Sequence, residues 1–156
     1  WEFALQLRSK QRVAEVLTTR GGEFGHGFTY SGHPAACAAG LATLKILREE
    51  KVIENVESVT GPHLARRWAE LADHPLVGEA RTLGLFGALE LVKDKATRER
   101  FLPAGSAAVV IRDHAIANGM MLRATGDTMI LSPPLILTPA DVQEIVKAVD
   151  AGLSAL

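Results

Sequence analysis

Between Gly25 and Gly32 three glycines fall within eight positions, and Pro34 follows at once with the alanine-dense run Pro34-Ala-Ala-Cys-Ala-Ala-Gly-Leu-Ala. A backbone this rich in glycine turns sharply and lets other groups approach closely. Three hydroxyls (Thr29, Tyr30, Ser31) and two imidazoles (His26, His33) are threaded among the glycines. Proline then stands where a helix would begin. A polar glycine loop feeding a helix N-terminus gathers free backbone N–H groups, hydroxyl donors and the positive end of a helix dipole. That combination is suited to holding an anion.

The rest of the chain reads as an α/β alternation without repeats or low-complexity linkers. Gln11–Leu17 reads as a short helix or turn, and Thr18–Gly22 as loop. Pro34–Glu50 is predicted to be a long helix on which Ala36, Ala39, Gly40 and Thr43 form a small-residue face. Cys37, inside it, reads as a small buried thiol rather than a nucleophile. Val52–Asp73 carries two apolar stripes, with a break or kink expected at Gly61-Pro62. Strands are predicted at Val77–Thr82, Leu85–Val92, Met120–Ala124 and Thr128–Leu131, with Gly84 at the first turn and Thr125-Gly126-Asp127 at the second. Ala107–Asn118 is predicted as a helix with Val110, Ile111 and His114 on one side and Gly119 as its stop. Thr138 reads as the N-cap of a final amphipathic helix, Pro139–Leu153. The predicted fold is α/β, a small antiparallel or mixed sheet with helices on one side, preceded by a long helix that belongs to another domain.

Three segments taken together resemble class III (omega-type) pyridoxal-phosphate aminotransferases. His26-Gly-Phe-Thr-Tyr-Ser-Gly-His-Pro34 is similar to the family's phosphate-contacting loop. Gly84-Leu-Phe-Gly-Ala-Leu-Glu-Leu91 is similar to its glycine-led strand. Leu122-Arg-Ala-Thr-Gly-Asp127, followed by Ser132-Pro-Pro-Leu-Ile136, is similar to its C-terminal hairpin and Pro-Pro exit. The motifs occur in family order from about residue 11 onward, whereas Trp1–Lys10 does not resemble the family. The resemblance implies a C-terminal portion of such an enzyme, organised as 1–33 (remnant of the cofactor domain with the phosphate loop), 34–50 (connecting helix) and 51–156 (small domain).

The resemblance also assigns roles. Thr29 would reach the pyridoxal 5'-phosphate of the neighbouring subunit in a homodimer, and Phe28 would flank that site. Arg123 would bind the substrate carboxylate, or swing aside for an amine that has none. A guanidinium suits this task because it grips a carboxylate with two parallel hydrogen bonds. Read from the residues alone, Thr29 is an ordinary loop threonine, Arg123 an edge-strand arginine facing water, and Glu90 a partner in a structural hydrogen bond or salt bridge. Tyr30 and Ser31 either donate to phosphate or satisfy loop backbone groups. The family's Schiff-base lysine and the aspartate on the pyridine nitrogen would lie before Trp1. No lysine present (Lys10, Lys45, Lys51, Lys93, Lys95, Lys147) stands in the matching context, so no catalytic residue is assigned.

Composition excludes several classes. Of the 156 residues, 17 are basic and 18 acidic, so no nucleic-acid partner is implied. No apolar run is long enough to cross a membrane, and Trp1–Leu7 is too brief for a signal peptide. A single cysteine suits a reducing, cytoplasmic location. His26 and His33 lack a third partner with metal-ligand spacing, so no metal site is expected. His33, before Pro34, instead shapes the entry to the helix. Two functions fit: part of a transaminase acting on amines and keto acids, or a non-enzymatic dimerisation or small-ligand-binding module derived from that family. The donor and acceptor are not legible in the sequence.

Overall fold

The computed structural model describes residues 11–21 and 27–156. These fall into two compact units, divided between Lys51 and Val52.

In the first unit, α1 spans Gln11–Arg20 and α2 spans Pro34–Glu49. Thr18–Gly22 is expected to be loop, but Thr18–Arg20 complete α1. Thr18 and Thr19 donate their hydroxyls back to the Glu15 carbonyl at 3.1 and 2.6 Å, the usual way a helix accommodates threonine. No residue of α2 is buried within this unit, so Cys37 is exposed rather than buried as expected.

The second unit begins with α3 (Val52–Asn55), a π-turn (Val56–Thr60), α4 (Gly61–Glu70) and a 3₁₀ turn (Leu71–Asp73). The break or kink expected at Gly61-Pro62 takes the form of a π-turn directly before it, and the chain stays helical through it. In a regular α-helix the Pro62 ring would press on the carbonyl four residues earlier. The wider turn relieves this, and Gly61 donates its N–H five residues back to Val56. Glycine is required there, because a Cβ at position 61 would lie 2.5 Å from the Val56 carbonyl oxygen.

Four strands follow: β1 (Val77–Leu83), β2 (Phe86–Leu91), β3 (Arg123–Thr125) and β4 (Thr128–Leu131). They form one antiparallel sheet in the order β1-β2-β4-β3. Between β2 and β3 lies α5 (Ser106–Ala117), and α6 (Pro139–Ser154) closes the chain. Met120–Leu122 is not strand, contrary to expectation. Gly119 is left-handed (φ +83°), and Met120 returns its N–H to the Ala115 carbonyl at 2.9 Å, so this stretch completes the exit of α5.

Alternation along the strands gives the sheet two unlike faces. Gly87, Leu89, Leu91, Met129 and Leu131 are buried on one face, where α4 packs on β1 and α5 on β3 and β4. Trp68, Leu64, Ile111, Val142, Val149 and Leu153 complete this core, all nearly solvent-free. Each such side chain contributes roughly 1.5–3 kcal/mol of hydrophobic stabilisation. On α5 the buried residues are Ala107, Ala108, Ile111 and Ala115, whereas Val110 is 44% exposed and does not share the Ile111 face as predicted. The reciprocal cap of α6 forms as its sequence implies. Thr138 accepts from the Asp141 N–H at 3.2 Å, and the Asp141 carboxylate accepts from the Thr138 N–H at 2.8 Å.

Candidate functional site

The candidate residues lie in both units, and each group is described within its own. In the first, the loop entering α2 is built from two overlapping turns. Ser31 donates its N–H to the Phe28 carbonyl (2.9 Å), and its hydroxyl accepts from the Phe28 N–H (3.0 Å). His33 donates its N–H to the Tyr30 carbonyl at 3.2 Å. Gly32, at φ +72°, lets the second turn close. The His33 Nδ1 accepts from the Ala36 N–H at 3.4 Å and caps α2, so this histidine shapes the helix entry as the sequence suggested.

This wiring separates the hydroxyls. Ser31 is engaged by its own loop. Thr29 is exposed, and its hydroxyl has no hydrogen-bond partner among the described residues. It sits five residues before Pro34, beside the positive end of a 16-residue helix. Phe28 is half-exposed on the same turn. His26 lies outside the described residues. Among those described, no three histidine, cysteine or carboxylate side chains gather as a metal site would require.

In the second unit the open face of the sheet carries the charges. Strand register places Arg81 opposite Ala88, Ala88 opposite Ile130, and Ile130 opposite Arg123. One row across the sheet therefore has an arginine at each end and an apolar middle. The two arginines differ in state. Arg81 donates from both terminal nitrogens to Glu90 Oε2 at 3.3 Å, and it also pairs with Glu79 at 3.2 Å. Glu90 is thus a structural ion-pair partner, its default reading. The guanidinium of Arg123 is exposed and has no ion pair or hydrogen bond among the described residues. Arg123 lies on the edge strand β3 and is its first residue.

The sequence reading gave Asp127 no individual role. Its carboxylate accepts from the Gly105 N–H at 3.0 Å, and its carbonyl accepts from the Leu91 N–H at 2.8 Å. These two bonds tie the β3–β4 turn to the end of β2 and the start of α5, fixing the strand that bears Arg123. The signal was present in the Gly126-Asp127 turn pair, where aspartate is favoured for bonding to backbone. An open groove of about 480 Å³ lined by Gly105, Ser106, Val109, Arg112, Ala124 and Gly126 lies beside the same strand. Ala124 pairs with the buried Met129, so the groove belongs to the helix-covered side, not to the face of Arg123.

Comparison with known proteins places these features in context. Residues 4–153 match the family profile described as aminotransferase class-III. The match begins well before residue 11, so most of the Trp1–Lys10 segment, read as unlike the family, falls within it. The chain is 56% identical over 137 residues to the putrescine–pyruvate aminotransferase of Pseudomonas aeruginosa, covering 88% of this chain and 30% of that protein. It is 37% identical over 138 residues to gamma aminobutyrate transaminase 1, mitochondrial, of Solanum lycopersicum, covering 86% of this chain and 27% of that one. Among solved structures, a thermostable (S)-enantioselective omega-transaminase from Thermomicrobium roseum superposes with a TM-score of 0.83 at 37% identity. That alignment covers 92% of this chain and 32% of the transaminase. The chain therefore spans about a third of the length of the relatives it matches.

Proposed function

Because the chain belongs to the class-III aminotransferase family, we propose that it forms part of an omega-type, pyridoxal-phosphate-dependent transaminase. The reaction moves an amino group between an amine or amino acid and a keto acid. In this reading the working assembly is a cytoplasmic homodimer. Thr29 and Phe28 serve the cofactor, with the Thr29 hydroxyl donating to its phosphate, and Arg123 holds the substrate carboxylate. The observation that carries the reading is the contrast on the open sheet face. Arg81 is neutralised by Glu79 and Glu90, whereas Arg123 keeps its donors available.

The residues present fit one edge of the cofactor. A hydroxyl without a partner among the described residues stands in a glycine turn beside a helix N-terminus, the chemistry that a phosphate group requires. When bound, pyridoxal phosphate supplies an electron sink for charge developing at the substrate carbon. The part left to this chain is binding and orientation. Thr29 anchors phosphate, and Phe28 presents an apolar edge beside it. Arg123 fixes one end of an acid substrate through paired N–H···O bonds. A putrescine–pyruvate enzyme, the relative at 56% identity, is named for one substrate without a carboxylate and one with a single carboxylate. One exposed guanidinium, without a partner among the described residues, suits that pair: it engages the acid and swings aside for the diamine, whose ammonium groups it would repel. A diamine donor and a monocarboxylate acceptor are the substrates to test first.

The chain itself supports the test. In ¹⁵N-labelled protein, pyridoxal phosphate should shift the amides of Phe28–Gly32, and pyridoxal without its phosphate should not. Thr29→Ala should abolish the difference. An undiminished phosphate response in Thr29→Ala overturns the assignment of Thr29.

A further inference from the structure

The open face of the sheet contains an apolar residue whose burial needs a source. Ile130 is half-buried although this face is the uncovered one, where Leu83 and Phe86 are 82% and 62% exposed. β4 is an inner strand, so β2 and β3 on either side supply part of the cover, and side chains standing on the same face supply the rest. Directly opposite on β2 is Ala88, which offers one methyl group. Diagonally on β2 stand Phe86, largely exposed, and Glu90, which turns to Arg81. Directly opposite on β3 is Arg123, whose three methylenes make it the neighbour long enough to lie over a branched side chain. Cross-strand partners hold their Cβ atoms about 4.5–5.5 Å apart. Arginine stems rest along apolar surface while the head group stays in water.

We propose that Ile130 is a positioning residue for Arg123. Its stiff β-branched side chain supports the aliphatic stem of the arginine and holds the guanidinium out over the open face. The inference rests on the reading of Arg123 as a carboxylate binder and deepens it. A guanidinium already confined gives up less side-chain entropy when a carboxylate arrives, and such ordering costs about 0.5–1.5 kcal/mol per side chain. Of the residues beside Arg123 on this face, Ile130 stands directly opposite it, with Thr128 on the diagonal. Arg81, at the far end of the row, is held by charge instead and needs no such floor.

The experiment follows the arginine Nε–Hε signals of the ¹⁵N-labelled chain, with acetate as the carboxylate probe and Arg81 as the internal control. Acetate should shift Arg123 and leave Arg81 in place. Ile130→Ala should lower the order parameter of the Arg123 Nε–Hε bond and weaken its acetate response about two- to tenfold, with Arg81 unchanged. Ile130→Val, which keeps the branch, should restore both, and it serves as the reporter should the alanine variant fail to fold. An Arg123 order parameter and acetate response that are the same in Ile130→Ala as in the parent overturn the inference. So does an Ile130→Val variant as mobile at Arg123 as the alanine variant. Failure of acetate to shift Arg123 in the unsubstituted chain would instead overturn the carboxylate reading, whatever Ile130 does to the mobility of the arginine.

Discussion

The indole of Trp68 rests on the backbone of Gly87. A Cβ at position 87 would lie 3.0 Å from Cε2 and 3.2 Å from Cζ2 of the ring, and the indole N–H donates to the neighbouring Ala88 carbonyl at 3.1 Å. The glycine therefore gives α4 its close approach to the sheet. Gly87→Ala should destabilise the unit by about 1–3 kcal/mol through overpacking, read as a lower midpoint in urea. In a Trp68→Phe background, where the smaller ring vacates part of that space, the same change should cost less. Equal costs in the two backgrounds would show that the contact does not limit position 87.

A second expectation concerns the π-turn. Thr60 is 1% exposed, and its hydroxyl finds no partner among the described residues. A buried hydroxyl without a partner costs about 1–3 kcal/mol. Thr60→Val, of nearly the same shape, should raise stability by about 1 kcal/mol in chemical denaturation. A loss of stability would mean that the hydroxyl is satisfied in solution, for example by an ordered water.

The cap of α6 sets an acid dependence. The Thr138 hydroxyl and then its N–H bond to the Asp141 carboxylate and hold its pKa below the ordinary aspartate value. A folded-state pKa below the unfolded one gives stability that is present above the unfolded value, near 3.8. That stability is lost as pH falls through the folded value. Asp94, lowered by the Thr97 N–H and hydroxyl, acts in the same direction. Asp141→Asn should flatten part of the decline in thermal midpoint below pH 4, and an unchanged acid limb would rule out the cap as a contributor.

Exposed apolar side chains occur in each unit considered by itself. Leu41, Leu44 and Ile46 stand out on α2, and Leu83, Phe86 and Met121 in the second unit. Exposed apolar surface drives association where it gathers into patches. Sedimentation velocity should show a concentration-dependent shift to larger species, reduced by Leu83→Lys combined with Phe86→Lys. A monomer at every concentration would contradict this.

The chain alone should form no stoichiometric covalent adduct with pyridoxal phosphate. Such an adduct needs a free amine, and a solvated lysine with a pKa near 10.4 offers very little at neutral pH. Among the described lysines, Lys93 is raised further by its hydrogen bond and charge interaction with Glu99. Lys45 faces Glu49 across 3.8 Å on an exposed helix. Borohydride reduction followed by peptide mapping checks this. One lysine labelled completely, and lost on its replacement, would reveal a working site of the chain's own.

Local signals in the sequence determined much of this protein. Gly84, Gly119 and Gly126 mark three chain reversals because each adopts a left-handed backbone that other residues resist. Thr138-Pro-Ala-Asp141 announces its helix because the cap is made within four residues. Thr29 and Arg123 were legible as candidates because their motifs are short and contiguous. Which of several backbone groups pair, and which side chains of separate strands meet, was settled only by the tertiary structure. The interruption expected at Gly61-Pro62 became a π-turn because Gly61 returns its N–H five residues back to Val56, which relieves the Pro62 ring. Met120–Leu122 left the strand because Ala115 captured the Met120 N–H. The state of the two arginines was equally hidden. Only the pairing of β1 with β2 brings Glu90 to Arg81, and only the order β1-β2-β4-β3 leaves Arg123 at an edge beside Ile130, with no ion pair among the described residues.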